Sequence, residues 1–182
     1  TYIDTSYTDL KQGFFEFTES PFDVAVQGDV YFNIRGYNGE KMLTRNGNWE
    51  LDSEGYLCLS TSGRILGENG EIYLGSKDFT IDVDGTIYQD GEVVDKLLLS
   101  YIDPESDVTK FGVNMFTAAS ASEVPEDLHY EILQGALERS NVDLNYELTM
   151  MMNANRLYEA SSAIFKLADG MNQAAASIAR KV

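Results

Sequence analysis

The sequence predicts an α+β chain, with a β-rich antiparallel body of sandwich- or barrel-like hairpins followed by one long C-terminal α-helix of coiled-coil type. Three observations support this fold class. Turn dipeptides separate short apolar runs throughout residues 22–117, apolar residues recur at helical spacing after residue 142, and the net negative charge is confined to the part before the helix. The first pattern is typical of hairpins and the second of a helix that packs against another helix.

The hairpins of the body are predicted from Asn-Gly and Asp-Gly pairs, which supply the positive φ angles of tight turns. These pairs are Asn38-Gly39, Asn46-Gly47, Asn69-Gly70, Asp84-Gly85 and Asp90-Gly91. The runs between them, rich in β-branched and aromatic residues, are Phe22–Gln27, Val30–Arg35, Asn48–Leu51, Tyr56–Ser60, Phe79–Val83 and Val93–Ile102. Further strands are expected at 111–117 and 128–134, with an exposed loop at 118–127.

The helix is predicted from apolar residues that follow alternating four- and three-residue steps, the spacing of a coiled-coil seam. The seam contains Leu144, Leu148, Met151, Ile164, Ala168, Met171, Ala175 and Ile178. Ser140–Asp143 resembles a capping box at the start of this helix. Met150–Met152 would cover most of the helix circumference, which indicates a helix surrounded by others.

The net charge of −17 is unevenly distributed. Residues 1–140 contain 26 of the 30 acids and 9 of the 13 bases, whereas residues 141–182 are neutral. An acidic surface argues against nucleic acid and anionic membranes as partners, and no apolar run is long enough for membrane insertion. We expect a lead-in segment at 1–13, a β-rich central domain at 14–139 and a C-terminal assembly helix at 140–182.

Residues that could carry chemistry are few, so the sequence predicts neither an enzyme nor a cofactor. His129 is the only histidine, so no metal cluster of several histidines can form within the chain. Cys58 lies in an apolar run and is interpreted as a small buried hydrophobe. Asp82–Gly85 and Asp90–Glu92 offer oxygen ligands for calcium, but they fail the EF-hand spacing and are interpreted as two hairpin turns.

Two blocks of sequence resemble one known family. The tail has Gln134–Asp143, then Glu147, Met151 and Arg156–Glu159. The second block comprises Lys11–Gly13, Pro21–Asp29, Tyr31-Phe32, Leu43–Asp52 and Gly55–Leu57. Both resemble bacterial flagellar axial proteins, the rod and hook family. The expected motif residues are Gln134, Gly135, Leu137, Glu138, Ser140, Asn141, Val142 and Asp143, and the expected assembly residues are those of the seam with Arg156 and Tyr158.

The resemblance implies a structural subunit of the basal-body rod. Such subunits are exported unfolded through the flagellar export apparatus, without a cleaved signal peptide, and stack into a hollow axial drive shaft for motility. The implied partners are other copies of the chain, other rod and hook proteins and the export apparatus. The tail helix would pair with an N-terminal helix to form the inner tube, with the β-rich body outside it.

Some features depart from the family pattern. Val30 replaces a usual glycine, and Asn155 replaces a frequent glutamine. Residues 1–12 show no strand pattern or cap, so we expect the family's N-terminal helical segment to be missing. The extra domain of the hook protein is not seen either, which favours a rod subunit.

Two other functions remain open from the residues alone. One is a surface module that binds glycan or calcium and is carried on a coiled-coil stalk, although such a stalk needs no Ser140–Asp143 signature. The other is a carbohydrate-active enzyme that uses two carboxylates. It would require an aromatic-lined cleft, which one tryptophan and scattered tyrosines do not establish.

Overall fold

The computed structural model of the chain describes residues 10–60, 62–103, 108–112, 114–118, 121–125 and 127–179. The chain divides into two compact units, Thr1–Asn141 and Val142–Val182. The first unit contains every described strand, and the second contains the helix. This confirms the predicted fold class of a β-rich antiparallel body followed by a single C-terminal helix.

The strands are short, as expected for a chain with frequent turn residues. They are β1 (Phe15–Phe17), β2 (Val24–Gln27), β3 (Val30–Gly36), β4 (Lys41–Thr44), β5 (Glu50–Leu51), β6 (Leu57–Leu59), β7 (Gly63–Gly67), β8 (Gly70–Glu71), β9 (Phe79–Ile81), β10 (Thr86–Gln89), β11 (Glu92–Lys96), β12 (Leu99–Tyr101), β13 (Val108–Phe111), β14 (Met115–Ala118), β15 (Glu131–Gln134) and β16 (Ala136–Glu138).

The strands form one large antiparallel sheet and three small ones. The large sheet has the order β13-β14-β4-β3-β7-β6-β5, with β12 also paired to β3 and β8 to β7. The small sheets are β11-β10-β9, β15-β2 and β1-β16. The last two join segments more than a hundred residues apart, with Val24 opposite Gln134 and Phe15 opposite Glu138. The start and the end of the first unit are therefore held together by the same hydrogen-bond ladders.

The main hydrophobic core lies inside the first unit, beside a smaller cluster of Tyr31, Leu43 and Ile102. It collects side chains from the large sheet and from all three strands of the β9–β11 sheet, together with β2 and β15. Phe32 and Trp49 meet edge to face with their ring centroids 4.9 Å apart. Such aromatic pairs contribute roughly 0.5–1.5 kcal/mol beyond the area they bury. The single tryptophan is buried, so its fluorescence reports on this core alone.

Four of the five predicted turn pairs have a glycine with positive φ, namely Gly39, Gly70, Gly85 and Gly91. The prediction for Asn46-Gly47 was wrong, because Gly47 is not among the described residues with positive φ. A Cβ at Gly47 would lie 1.5 Å from the Val24 carbonyl oxygen. Glycine is needed there for the close approach of two backbone segments.

Tertiary pairing moved several predicted strand boundaries. The run Val93–Ile102 is split between β11 and β12, because Leu97 forms a bridge to Gly67 between them. The predicted strand 111–117 spans the turn at Gly112 between β13 and β14. Within the predicted loop 118–127, Ser122 exchanges two backbone hydrogen bonds with Tyr101. Residues 119, 120 and 126 of that loop lie outside the described residues.

The second unit is the helix α1, Leu144–Ala179. The capping box predicted at Ser140–Asp143 was placed wrongly, since the helix begins one residue after Asp143. The Oδ1 atom of Asp143 accepts hydrogen bonds from the backbone N–H groups of Asn145 at 2.9 Å and Tyr146 at 3.3 Å. An N-cap of this kind contributes roughly 0.5–2 kcal/mol. The coiled-coil character of α1 stays a prediction, and no helix in the described part of the chain is long and apolar enough to cross a membrane.

Candidate assembly site

We define the signature segment as Gln134–Asp143. Its first half binds the start of the first unit to its end. The Gln134 amide donates to the carbonyls of Pro21 at 2.9 Å and Phe79 at 3.3 Å, and its Oε1 accepts from the Ile81 N–H at 3.0 Å. This one side chain thus bridges two separate segments. Its amide functions as a structural connector.

Gly135 follows in the left-handed region, with φ of 81°. Its carbonyl accepts the N–H groups of Thr18 at 2.8 Å and Glu19 at 3.2 Å, while its own N–H donates to the Asp23 carbonyl at 2.7 Å. A residue with a Cβ would be strained in this conformation. Gly135 therefore allows the chain to turn between β15 and β16 while its backbone stays fully bonded.

Glu138 forms the most buried ion pair among those described. Its Oε2 accepts from Arg45 Nε at 2.9 Å, with 10% and 12% of the respective side chains exposed. Oε1 accepts the Gly13 N–H at 2.9 Å, and Arg45 Nη2 donates to the carbonyls of Val26 at 3.3 Å and Gly28 at 2.9 Å. These bonds satisfy most of the polar atoms that burial removes from water.

The Arg45 guanidinium also lies over the ring of Tyr31, 5.3 Å from its centroid. Burial raises the pKa of the Tyr31 hydroxyl above its ordinary value, and the cation of Arg45 opposes this change. A neutral phenol ring beneath a cation gives a cation–π contact of roughly 0.5–2 kcal/mol. One arginine therefore joins β2, β3 and β16, and its partner Glu138 holds the segment before β1.

The segments that lead into and out of the first unit run side by side. Asn141 donates its amide to the Lys11 carbonyl at 2.8 Å, and the Gln12 amide donates to the Val26 carbonyl at 2.7 Å. Arg139 pairs with Glu16, and its hydrogen bond holds the pKa of that carboxyl below the ordinary value. Residues of both sequence blocks thus meet in one place.

The helix presents a long apolar surface. Its exposed large apolar side chains are Leu144, Tyr146, Leu148, Met150, Met151, Met152, Leu157, Tyr158, Ile164, Phe165, Leu167 and Met171, each between 44% and 74% exposed. At 1.5 Å per residue a helix of 36 residues is about 54 Å long. Exposed apolar surface on this scale marks an interaction site in soluble proteins.

The residues considered for chemistry have structural explanations or no partners that would activate them. Asp84 accepts from the Thr86 N–H and hydroxyl, each at 2.9 Å, and from Lys96 at 3.3 Å, so its carboxylate is used by its own turn. Burial raises the pKa of the Cys58 thiol, which disfavours the reactive thiolate. His129 is exposed and lies 3.3 Å from Glu131.

Comparison with known proteins identifies the family. The chain is 31% identical to the flagellar basal-body rod protein FlgG of Caulobacter vibrioides over 184 aligned positions, which cover 94% of this chain and 70% of that protein. The chain belongs to the flagellar basal-body rod protein family. The prediction of a structural rod subunit is thereby confirmed.

Further matches to this rod family agree. Residues 133–178 match the family model of the flagellar basal body rod FlgEFG protein C-terminal region, and residues 25–89 match the D1 domain of the flagellar hook protein FlgE/F/G. FlgG of Bacillus subtilis is 29% identical over 90% of this chain and 67% of its own length. FlgF of Mesorhizobium japonicum is 27% identical over 91% of this chain and 68% of its own length.

In this rod-family chain the predicted site residues separate into two groups. The signature residues Gln134, Gly135, Glu138, Asn141 and Asp143 make specific hydrogen bonds, whereas Leu137 pairs opposite Glu16 in the ladder and Val142 is exposed. The seam residues, with Arg156 and Tyr158, all lie on α1. The side chains of Ala175 and Ile178 fall outside the described residues.

Sequence reasoning missed Arg45 as a site residue of this rod protein. It stands within the Leu43–Asp52 block that carried the resemblance, but nothing in the sequence indicates a partner 93 positions away. A basic residue between an apolar strand and a turn was the only available signal. Its role depends on the pairing of β1 with β16, which brings Glu138 to it.

Proposed function

We propose that this chain is a structural subunit that builds the axial shaft of the flagellar basal body, with α1 as its assembly element. The proposal rests on the apolar surface of α1, which is exposed along the described helix. Its partners are helices of other copies and of other rod and hook proteins. We further infer that the chain is exported by the flagellar apparatus and catalyses no reaction.

The physical chemistry of the two units supports this assignment. Burial of a Leu, Met or Ile side chain is worth roughly 1.5–3 kcal/mol, so the exposed seam strongly favours association with another helix. Because residues 141–182 are neutral, copies of this segment can pack closely together. The acidic residues 1–140 of different copies repel each other, which keeps the bodies in solution. A shaft that transmits torque requires many packed side chains and no catalytic group.

The signature segment fixes the end of the first unit to its beginning. The buried pair of Arg45 and Glu138 and the hydrogen bonds of Gln134 and Asn141 secure the last residues before α1 to the first unit. Their number, and the burial of the pair of Arg45 and Glu138, fit a part that bears mechanical load. The β-rich unit then forms the outer part of the shaft, in keeping with its acidic surface.

The substitution Leu148→Asp tests the assembly role of α1. It places a charge in the seam, and an unpaired charge buried between helices is strongly unfavourable. We expect light scattering at tens of micromolar to show oligomers for the wild-type chain and a shift toward monomers for the variant. In the intact protein the same change should impair rod assembly and motility.

Asn153→Asp is the matched control, because it adds the same charge on the opposite face of the helix, about 140° from Leu148. It should weaken association less than Leu148→Asp does. Fluorescence of Trp49 should show an intact body in both variants, since the only tryptophan lies in the first unit. A wild-type chain that stays monomeric with a stable helix would overturn the proposal.

A further inference from the structure

A basic cleft lies in the first unit of this acidic chain. It has a volume of about 290 Å³ and is lined by four cationic side chains, Lys11, Arg45, Lys110 and Arg139. Among the described lining residues the only carboxylate is Glu138, which is paired to Arg45, while Arg139 is paired to Glu16. Four of the nine bases in residues 1–140 therefore meet at one place, against 26 acids in the same residues. Such a concentration of positive charge attracts an acidic group.

The cleft also offers polar and aromatic groups that remain available to a partner. Within the described residues, the exposed Lys110 forms no ion pair, whereas Arg45 is buried and already paired with Glu138. The rings of Tyr31 and Phe116 lie edge to face at 6.1 Å and provide an apolar wall. A fitting occupant therefore combines one or two carboxylates with an apolar side chain.

The turn between β10 and β11 has this composition. We define the acidic tip as Asp90–Val93, which contains two carboxylates, Asp90 and Glu92, beside Val93 with 61% of its side chain exposed. Nothing lies within 4 Å of a Cβ built at Gly91, so the tip projects into solvent. Neither carboxylate pairs with a cation among the described residues, and the tip does not line the cleft of its own chain.

Two other acidic turns are less suitable because their carboxylates are already bound. Asp52 and Glu54 both pair with Arg64, and Asp84 pairs with Lys96. An occupant taken from one of these turns would first have to break an existing ion pair. Docking of the acidic tip breaks no ion pair among the described residues.

We propose that the basic cleft receives the acidic tip of a second copy of this chain. The proposal rests on the proposed function, because it names a body-to-body contact within the assembly that α1 begins. Cleft and tip are different surfaces, so each copy would bind one neighbour through its cleft and another through its tip. Such a heterologous contact continues from copy to copy and produces a helical filament when it does not close into a ring.

Disulfide trapping between full-length chains tests the contact. Chains with Lys110→Cys are mixed with chains carrying Glu92→Cys and oxidised, and we expect a mixed dimer to form. The native Cys58 is buried and contributes little background. Tyr37→Cys replaces Glu92→Cys in the control, because Tyr37 is exposed elsewhere on the body. Equal trapping with the control would overturn the proposal.

Charge reversal supplies a second measurement that does not depend on cysteine chemistry. Lys110→Glu and Glu92→Lys should each weaken association about tenfold by placing like charges together, and the double variant should restore it. Reversals that leave association unchanged, or a double variant weaker than either single one, would also overturn the contact.

The two proposals can fail separately. If Leu148→Asp abolishes association but no mixed disulfide forms, the helix assembles the protein and the cleft contact is wrong. If the disulfide forms and Leu148→Asp has no effect, the cleft contact stands and the assembly role of α1 is wrong.

Discussion

Arg45 shows how one side chain can hold distant parts of a fold together. Its guanidinium bonds Glu138, the carbonyls of Val26 and Gly28 and the face of Tyr31. The pair is buried, so removal of one partner leaves the other charge without compensation in a region of low dielectric. The same property that makes the pair a firm connector makes it sensitive to substitution.

We therefore predict that Arg45→Met lowers the free energy of unfolding by about 3 kcal/mol. Urea unfolding followed by Trp49 fluorescence measures this change. Arg35→Met is the matched control, because Arg35 and Glu71 form a pair with 43% and 23% of their side chains exposed. An exposed pair contributes about 0–1 kcal/mol, so the control should change little. Equal losses in both variants would contradict the role assigned to burial.

Arg64 forms a second charged cluster at the surface of the body. It bonds Asp52, Glu54 and Glu71, and it lies 4.0 Å above the ring of Tyr56. The hydrogen bond from Arg64 is the main reason that the pKa of Glu71 lies below its ordinary value of 4.5, and burial opposes this change. The ionised carboxylate is thus favoured in the folded state.

This cluster predicts a pH dependence of stability. Because the pKa of Glu71 is lowered on folding, its contribution is complete above the unfolded pKa and is lost as the pH falls through the folded pKa. Wild type should be more stable than Arg64→Met at pH 7, and the difference should shrink toward about pH 3. Urea unfolding of both chains across this range measures it. A difference that stays constant with pH would show that the cation–π contact dominates.

At the scale of elements, the helix contains one weak point. Gly170 lies inside α1, and no atom lies within 4 Å of a Cβ built there. Glycine costs about 1 kcal/mol relative to alanine in a helix interior. Gly170→Ala should therefore stabilise α1 by about 1 kcal/mol, seen as a higher helical signal in circular dichroism during heating.

A glycine in the body provides the contrast. Gly47→Ala should destabilise the first unit strongly, because its Cβ would lie 1.5 Å from the Val24 carbonyl oxygen.

Loss of helix in Gly170→Ala would mean that a close partner occupies this position in the assembled state.

The pairing of β1 with β16 has a consequence at the same scale. It brings the segment before Phe15 and the segment after Glu138 to one edge of the body. Asn141 can therefore reach Lys11, although they are 130 positions apart in the sequence. The two matched sequence blocks form one structural connection, which explains why both carry specific polar residues.

The whole molecule combines an acidic body with a neutral helix. Of the carboxylates that resemble calcium ligands, Asp82 and Asp84 accept hydrogen bonds within their own turn, and no described group of three or more His, Cys, Asp or Glu side chains could hold a metal ion. We predict that EDTA shifts the melting temperature by no more than about 1 °C. A large rise in stability with calcium would instead indicate a site at Asp82, Asp84 and Asp90.

The sequence by itself determined the fold class and the family. Gly39, Gly85 and Gly91 marked turns because local backbone sterics require a residue that tolerates positive φ. The seam from Leu144 to Met171 predicted a helix because its period belongs to the helix alone. Both signals are local, so they can be recognised in the sequence without the tertiary structure.

Tertiary structure decided the features that depend on distant neighbours. The pairing of Arg45 with Glu138, the split of Val93–Ile102 and the close approach at Gly47 all require contacts across the chain. The sequence predicted a capping box starting at Ser140 and did not single out Asp143, because both residues are good N-caps in isolation. The structure selects Asp143, whose Oδ1 atom accepts the N–H groups of Asn145 and Tyr146 in the first turn of α1.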